Sequence, residues 1–173
     1  MNAVLDPLLR RWPVLALAAS AAMLATAHAF QSFGGFAPCT LCLRQREVYW
    51  LALGVAGAAI VAGRTRAGRG VAPWIGAGLT LLFLTGGYIA VYHAGAEWKW
   101  WPGPTACSAS GAAASAADLN RLLAGAKIRP PSCDVAAWRM LGLSMAGWNA
   151  LVSAALAGLS GAWALRTHRG DRS

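Results

Sequence analysis

The run VAPWIGAGLTLLFLTGGYIAVY, residues 71–92, carries no charged side chain. As a helix rising about 1.5 Å per residue it crosses a hydrocarbon core of about 30 Å unaided. The run at 142–165 does the same, and a third candidate lies at 13–30. A fourth, ending at Ala62, has only about 15 purely apolar residues, short of the roughly 20 that a span needs. Its polar first turn, Arg44-Gln45-Arg46-Glu47, must then enter the membrane edge or the bundle. The whole chain is 57% hydrophobic and 12% charged, where soluble domains carry about a quarter charged residues. That excludes an ordinary soluble globule and a disordered chain. The net charge of +9 raises nucleic-acid binding, but the apolar runs and the placement of the basic residues speak against it.

These runs predict an all-α integral membrane four-helix bundle, one membrane domain over residues 1–173, with helices near 13–30, 43–62, 71–93 and 142–165. The first run has a rival reading: Arg10 and Arg11, an apolar stretch and Ala27-His28-Ala29 resemble a cleavable signal peptide. The stretch is longer than a usual signal core, which favours a retained helix. Eight basic residues (Arg10, Arg11, Arg64, Arg66, Arg69, Arg166, Arg169 and Arg172) flank membrane ends on one face. The positive-inside rule makes that face, and both termini, cytoplasmic. A short loop near 31–42 and a long one near 94–141 then face outward. Within the long loop, 113–124 reads as an amphipathic helix lying on the membrane or packed on the bundle. Trp98, Trp100 and Trp101 beside Lys99 suggest an interfacial aromatic belt. Gly76, Gly78, Gly86 and Gly87 are expected to let neighbouring helices approach closely.

All four cysteines fall on the outer side: Cys39 and Cys42 in the short loop, Cys107 and Cys133 in the long one. Thiols are oxidised outside the bacterial inner membrane, so loop charge and cysteine placement select the same compartment. Cys39-Thr40-Leu41-Cys42 is a C-x-x-C just ahead of a helix. A ring that small is strained and readily reduced, and a helix N-terminus and a nearby Arg favour the thiolate. A four-cysteine zinc site and an inert disulfide are the alternatives, but a second C-x-x-C is missing. Arg46, His93 and Met145 all fall at the outer membrane edge. Residues converging there, between apolar helices and beside a reactive thiol, suit a pocket for a lipid-soluble acceptor. Each also has a plain reading: headgroup snorkelling for Arg46, an interfacial ring for His93 and packing for Met145.

The stretch Pro38-Cys39-Thr40-Leu41-Cys42-Leu43-Arg44-Gln45-Arg46 resembles the P-C-x-L-C-x-x-x-R signature of the disulfide bond formation protein B (DsbB) family. Residues 92–98 and 103–107 are similar to the start of that family's second loop. Cys133-Asp134, Trp138 and residues 141–145 are similar to its end. The resemblance implies a protein-dithiol:quinone oxidoreductase of the bacterial inner membrane with its active site on the periplasmic side. Cys107, in a disulfide with Cys133, would be attacked by a reduced periplasmic thioredoxin-fold oxidase (DsbA-like). Cys133 would pass electrons to Cys39, and Cys42 would face a quinone, ubiquinone rather than menaquinone. Arg46, His93 and Met145 would line the ring pocket. The implied partners are that oxidase, the membrane quinone pool and the bilayer, with no nucleic acid and no metal. The competing reading is a metal-binding or scaffolding membrane protein with structural disulfides.

Overall fold

The structure is a computed structural model that describes residues 5–104 and 133–170. Cys107 and the proposed amphipathic helix at 113–124 lie outside the described residues.

The described chain is mostly helical. A short helix α1 (Leu5–Arg10) leads into α2 (Trp12–Ser32). Then come α3 (Thr40–Ala62), a one-turn α4 (Arg66–Gly70) and α5 (Ala72–Glu97). A two-stranded hairpin, β1 (Arg139–Met140) and β2 (Leu143–Ser144), precedes α6 (Met145–Gly170). Proline sits in the first turn of α2 and of α5, where its missing N–H has no intrahelical partner to lose. Three helices, α2, α5 and α6, are long and apolar enough to cross a membrane. The polar first third of α3 keeps it below that standard, although its 23 residues suffice in length.

Observed helices differ from the predicted bounds. α6 starts at Met145 rather than 142, because Gly142 turns at φ +82° and Leu143–Ser144 pairs in the hairpin. Most other helix ends extend further than expected. α5 continues a full turn past His93, because Ala94, Gly95, Ala96 and Glu97 are all buried there. α3 starts at Thr40, with Cys39 as its N-cap. The connection between α2 and α3 therefore shrinks to residues 33–39, tightened by a tilted contact between Phe30 and Phe36.

Helix α6 packs along α5, α5 along α3 and α3 along α2, whereas α2 meets α6 only sparsely. The bundle thus has one loose seam, between α2 and α6. Outward faces keep Trp50, Leu51, Trp74, Leu81, Leu84 and Leu151 exposed, as expected of helices whose solvent is lipid. Inside, small residues set the helix separation. Ala16, Ala52, Ala56 and Ala90 are fully buried. A Cβ on Gly76 would lie 2.8 Å from the Ala164 Cβ and 2.9 Å from the Trp163 ring, and one on Gly86 would lie 3.1 Å from Val48. Gly87 faces Ser153, but nothing lies within 4 Å of a Cβ on Gly78, so the close-approach role does not extend to that position.

Gly76→Ala is expected to lower stability by about 1–3 kcal/mol through overpacking. Gly78→Ala should be neutral or stabilising, because Ala is the better helix former. Thermal unfolding of the detergent-solubilised protein checks both; equal midpoints for the two variants would contradict the assigned packing.

Candidate redox site at one end of the bundle

Pro38 leads into an extended Cys39, whose sulfur accepts the Cys42 backbone N–H at 3.3 Å and so caps α3. One turn brings Cys42 back beside it, with the two Sγ atoms 2.9 Å apart. The positive end of the α3 dipole therefore faces the pair. Cys39 is buried and Cys42 half-buried. The hydrogen bond to the Cys42 sulfur, together with burial, pushes the Cys39 thiol well above the usual thiol range.

Behind Cys39 sits Cys133. It is disulfide-bonded, fully buried and packed against Cys39, with Leu41 and Cys42 alongside. Its sulfur lies 3.6 Å from the Thr40 Oγ1. The next residue, Asp134, accepts a 2.6 Å ion pair from Lys99, in the left-handed turn that follows α5. That turn is tied down by Trp101, which stacks on Tyr92 and donates to the Tyr92 carbonyl at 2.8 Å. Gly95 is obligatory beneath it, because a Cβ there would penetrate the Trp101 ring. Trp98 and Trp100 stay exposed, so of the predicted aromatic belt Trp101 instead serves as an internal brace.

In front of the pair, Cys42, Arg46, His93 and Met145 line one cavity of about 350 Å³. Its walls are apolar and aromatic, with Phe30, Phe36 and Trp138 on one side and Leu24 and Val152 on the other. Phe30 packs on Trp138 at 5.2 Å, joining the end of α2 to the segment after Cys133. Arg46 is held by α2: its guanidinium donates to Gln31 Oε1 at 2.6 Å and to the Ala27 carbonyl at 3.0 Å. Arg44 pairs with Glu47 at 3.0 Å, and both are exposed.

His93 joins the pair to a buried polar chain. The Tyr49 hydroxyl donates to Asn149 Oδ1 at 2.5 Å, and Asn149 Nδ2 donates to Gln45 Oε1 at 2.5 Å. Gln45 Nε2 lies 3.0 Å from His93 Nδ1. An amide nitrogen only donates, so Nδ1 accepts and the ring proton sits on Nε2. That Nε2 faces Cys39 Sγ at 3.6 Å and Glu97 Oε1 at 3.7 Å. Both neighbours accept, which suits an N–H between them. Having given its proton to Asn149, the Tyr49 oxygen accepts from Ser153 Oγ at 3.1 Å. Glu97 is buried, and its Oε2 has no hydrogen-bond partner among the described residues.

Cys39, Cys42 and His93 could also offer metal-ligand atoms, all within 4.8 Å of one another. A proton held on Nε2 by Gln45 opposes that use, since a ligating nitrogen must present its lone pair. The structure thus gathers Cys39, Cys42, Cys133, Arg46, His93 and Met145 at one end, with Cys107 outside the described residues. The sequence alone places Gln45 in a polar turn that must enter the bundle edge, but it assigns no site role to Gln45, Tyr49, Asn149, Ser153 or Glu97. A polar residue repeated inside apolar helices was the available signal.

The sequence features of this site have a family counterpart: the model of disulfide bond formation protein DsbB matches residues 9–163. The chain belongs to the DsbB family. No curated protein and no solved structure matches it significantly. Family membership and the apolar helices make it a membrane protein of disulfide bond formation, of a family with oxidoreductase activity and general quinone use.

Nitrogen-15 NMR of histidine-labelled protein, with His93→Gln to assign the signal, should show His93 protonated on Nε2. Gln45→Leu should populate the Nδ1-protonated form as well. A ring protonated mainly on Nδ1 in the wild type would reverse the chain of donors.

Proposed function

We propose that the protein re-oxidises a periplasmic thioredoxin-fold dithiol oxidase (DsbA-like) and passes its electrons to a membrane quinone. The observation that carries this reading is the two-sided placement of the Cys39–Cys42 pair. Cys133 packs against Cys39 on one side, and Cys42 opens with Arg46, His93 and Met145 into an apolar cavity on the other.

The steps balance as four thiol–disulfide exchanges, two for each pair-to-pair transfer. A donor thiolate attacks Cys107 of a Cys107–Cys133 disulfide; the mixed disulfide forms and Cys133 leaves as the thiolate. The second donor thiol closes the donor disulfide and releases Cys107. Cys133 attacks Cys39 of the oxidised Cys39–Cys42 pair, forming the Cys39–Cys133 bond and freeing Cys42 as a thiolate. Cys107 then attacks Cys133, restoring the loop disulfide and leaving Cys39 and Cys42 reduced. Arg46, His93 and Met145 would hold a quinone in the cavity, where it would supply the two-electron, two-proton acceptor that lets Cys39 and Cys42 close their disulfide again. The cavity suits such a group: its walls are apolar and aromatic, while a guanidinium and an imidazole lie at the thiol end. Arg46 stabilises negative charge there, more strongly than it would in water. His93 Nε2–H stabilises the sulfur of Cys39 as it leaves.

The bilayer arrangement belongs to the same proposal. The chain is one membrane domain in which α3 crosses with α2, α5 and α6, its polar first turns lodged in the bundle. Both termini face the cytoplasm, and the cysteines face the periplasm across a bacterial inner membrane. Arg10, Arg11, Arg64 and Arg69 gather at the end remote from the cysteines, which supports this orientation. Ubiquinone is the proposed acceptor rather than menaquinone.

Arg46→Met should reduce quinone turnover about tenfold to a thousandfold, a loss of roughly 1.4–4 kcal/mol. Disulfide exchange with the donor, measured without quinone, should change little. Arg46→Lys should recover part of the activity, lacking the planar fork of donors. Wild-type turnover in Arg46→Met would reduce Arg46 to an anchor for α2.

The inter-pair transfer has its own test. In the double variant Cys42→Ser/Cys107→Ser, the remaining Cys39 and Cys133 should close a disulfide on mild oxidation and resist alkylation. Two freely alkylated thiols would show that the loop cysteine does not reach Cys39.

A further inference from the structure

The end of the bundle remote from the cysteines holds a second cavity, of about 630 Å³. Its polar rim is built from Arg10 and Arg11 before α2, Arg64 after α3 and Arg69 on α4. Its apolar wall is formed by Val14, Ile60 and Trp163. Trp163 is only 7% exposed, Ile60 is half-buried and Val14 is exposed, so the wall runs from the core out to the lipid-facing surface.

Four guanidinium groups around one cavity repel one another. The one described acid at this end is Asp6, and it is already engaged: it accepts from Arg166 at 2.6 Å and from Arg10 at 3.3 Å. Arg166 beside it holds its carboxyl below the usual range, so it is a carboxylate throughout the physiological range. Glu47, Glu97 and Asp134 belong to the opposite end, around the cysteines. Among the described residues, the side chains of Arg11, Arg64 and Arg69 have no ion pair or hydrogen bond. Guanidinium forks match phosphate oxygens two at a time. The apolar wall behind them has nothing to offer a free anion, but it suits acyl methylenes. The cavity is lined from both α2 and α6, the two helices that meet only sparsely, so chains have a lateral way in from the bilayer.

We propose that this cavity binds the phosphate headgroup of an anionic phospholipid, with Arg11, Arg64 and Arg69 as its ligands and Val14, Ile60 and Trp163 against the first acyl methylenes. The site is separate from the cysteines, and its test does not depend on the quinone reading.

Native mass spectrometry of the full-length protein, taken from bilayers mixing phosphatidylglycerol with phosphatidylcholine, reads lipid retention directly. Wild type should keep phosphatidylglycerol and release phosphatidylcholine. Arg64→Gln/Arg69→Gln should retain about tenfold less phosphatidylglycerol or worse, while Arg44→Gln, at the other end, should retain it like wild type. Thermal unfolding in detergent shows that each variant is folded, and Arg64→Lys/Arg69→Lys should restore part of the retention. Retention in the double glutamine variant equal to wild type overturns the site. Displacement of the lipid by inorganic phosphate at equal concentration overturns the lipid assignment and leaves a free-anion site.

Discussion

The chain of hydrogen bonds from Ser153 through Tyr49, Asn149 and Gln45 to His93 is the interaction on which the rest of this architecture depends. Between lipid-facing helices the hydrophobic effect supplies little association energy, because lipid tails are as apolar as the side chains. Small residues allow close approach but leave rotation and register poorly specified. A buried polar chain spanning α3, α5 and α6 specifies both, since sliding any one helix by a residue strands several donors and acceptors away from water. The chain ends at His93 Nε2, 3.6 Å from Cys39. The same bonds that set helix register therefore aim a ring proton at the sulfur.

The cysteine pair is asymmetric for reasons that begin in the backbone. Cys39 serves as the N-cap of α3 and is buried under Cys133 and His93. Cys42, one turn on, looks into the cavity with Arg46. Burial and the hydrogen bond shared with Cys42 keep the proton on Cys39. Negative charge is thus accommodated better on the sulfur nearer the helix interior, the guanidinium and the cavity. A single C-x-x-C on a helix start yields two unlike sulfurs because one is the cap and the other is inside the first turn.

Much of this architecture is legible in the sequence, and the parts that are not share a physical cause. Uncharged runs located α2, α5 and α6, because bilayer thickness imposes a length that composition reveals directly. The shortage of apolar residues in α3 marks its polar first turns as unusual; of Arg44-Gln45-Arg46-Glu47, Gln45 is buried and Arg46 half-buried, whereas Arg44 and Glu47 stay exposed and pair with each other. Helix ends depart from the sequence pattern where tertiary burial overrides local polarity: Glu97 follows the apolar run like a loop residue, yet it is buried in α5. Arg46, His93 and Met145 shared a membrane edge in the sequence reading, and they share a cavity wall in the structure. Tyr49, Asn149 and Ser153 are not legible as a set in the sequence, because each is an isolated polar residue in an apolar run. Their meaning is pairwise and exists only after the helices pack. Gly78 shows the converse: its spacing matched Gly76, yet it faces open space.

Helix α2 stands apart from the polar chain. Its ties are near its ends: Trp12 donates to Ser160 at 3.1 Å on α6, and Gln31 and the Ala27 carbonyl receive Arg46 from α3. Between these ends the buried Ser20 hydroxyl finds no partner among the described residues, and the seam with α6 stays loosely packed. Helix α2 packs along α3 but, among the described residues, is hydrogen-bonded to α6 only through Trp12, which leaves openings along the α2–α6 seam. Each of the two cavities lies at one end of this seam, with lining residues from both α2 and α6. Had the polar chain included α2, the bundle would be better closed and the Cys42 sulfur would face side chains. Leaving one helix out of the network therefore goes with a cavity that the Cys42 sulfur lines.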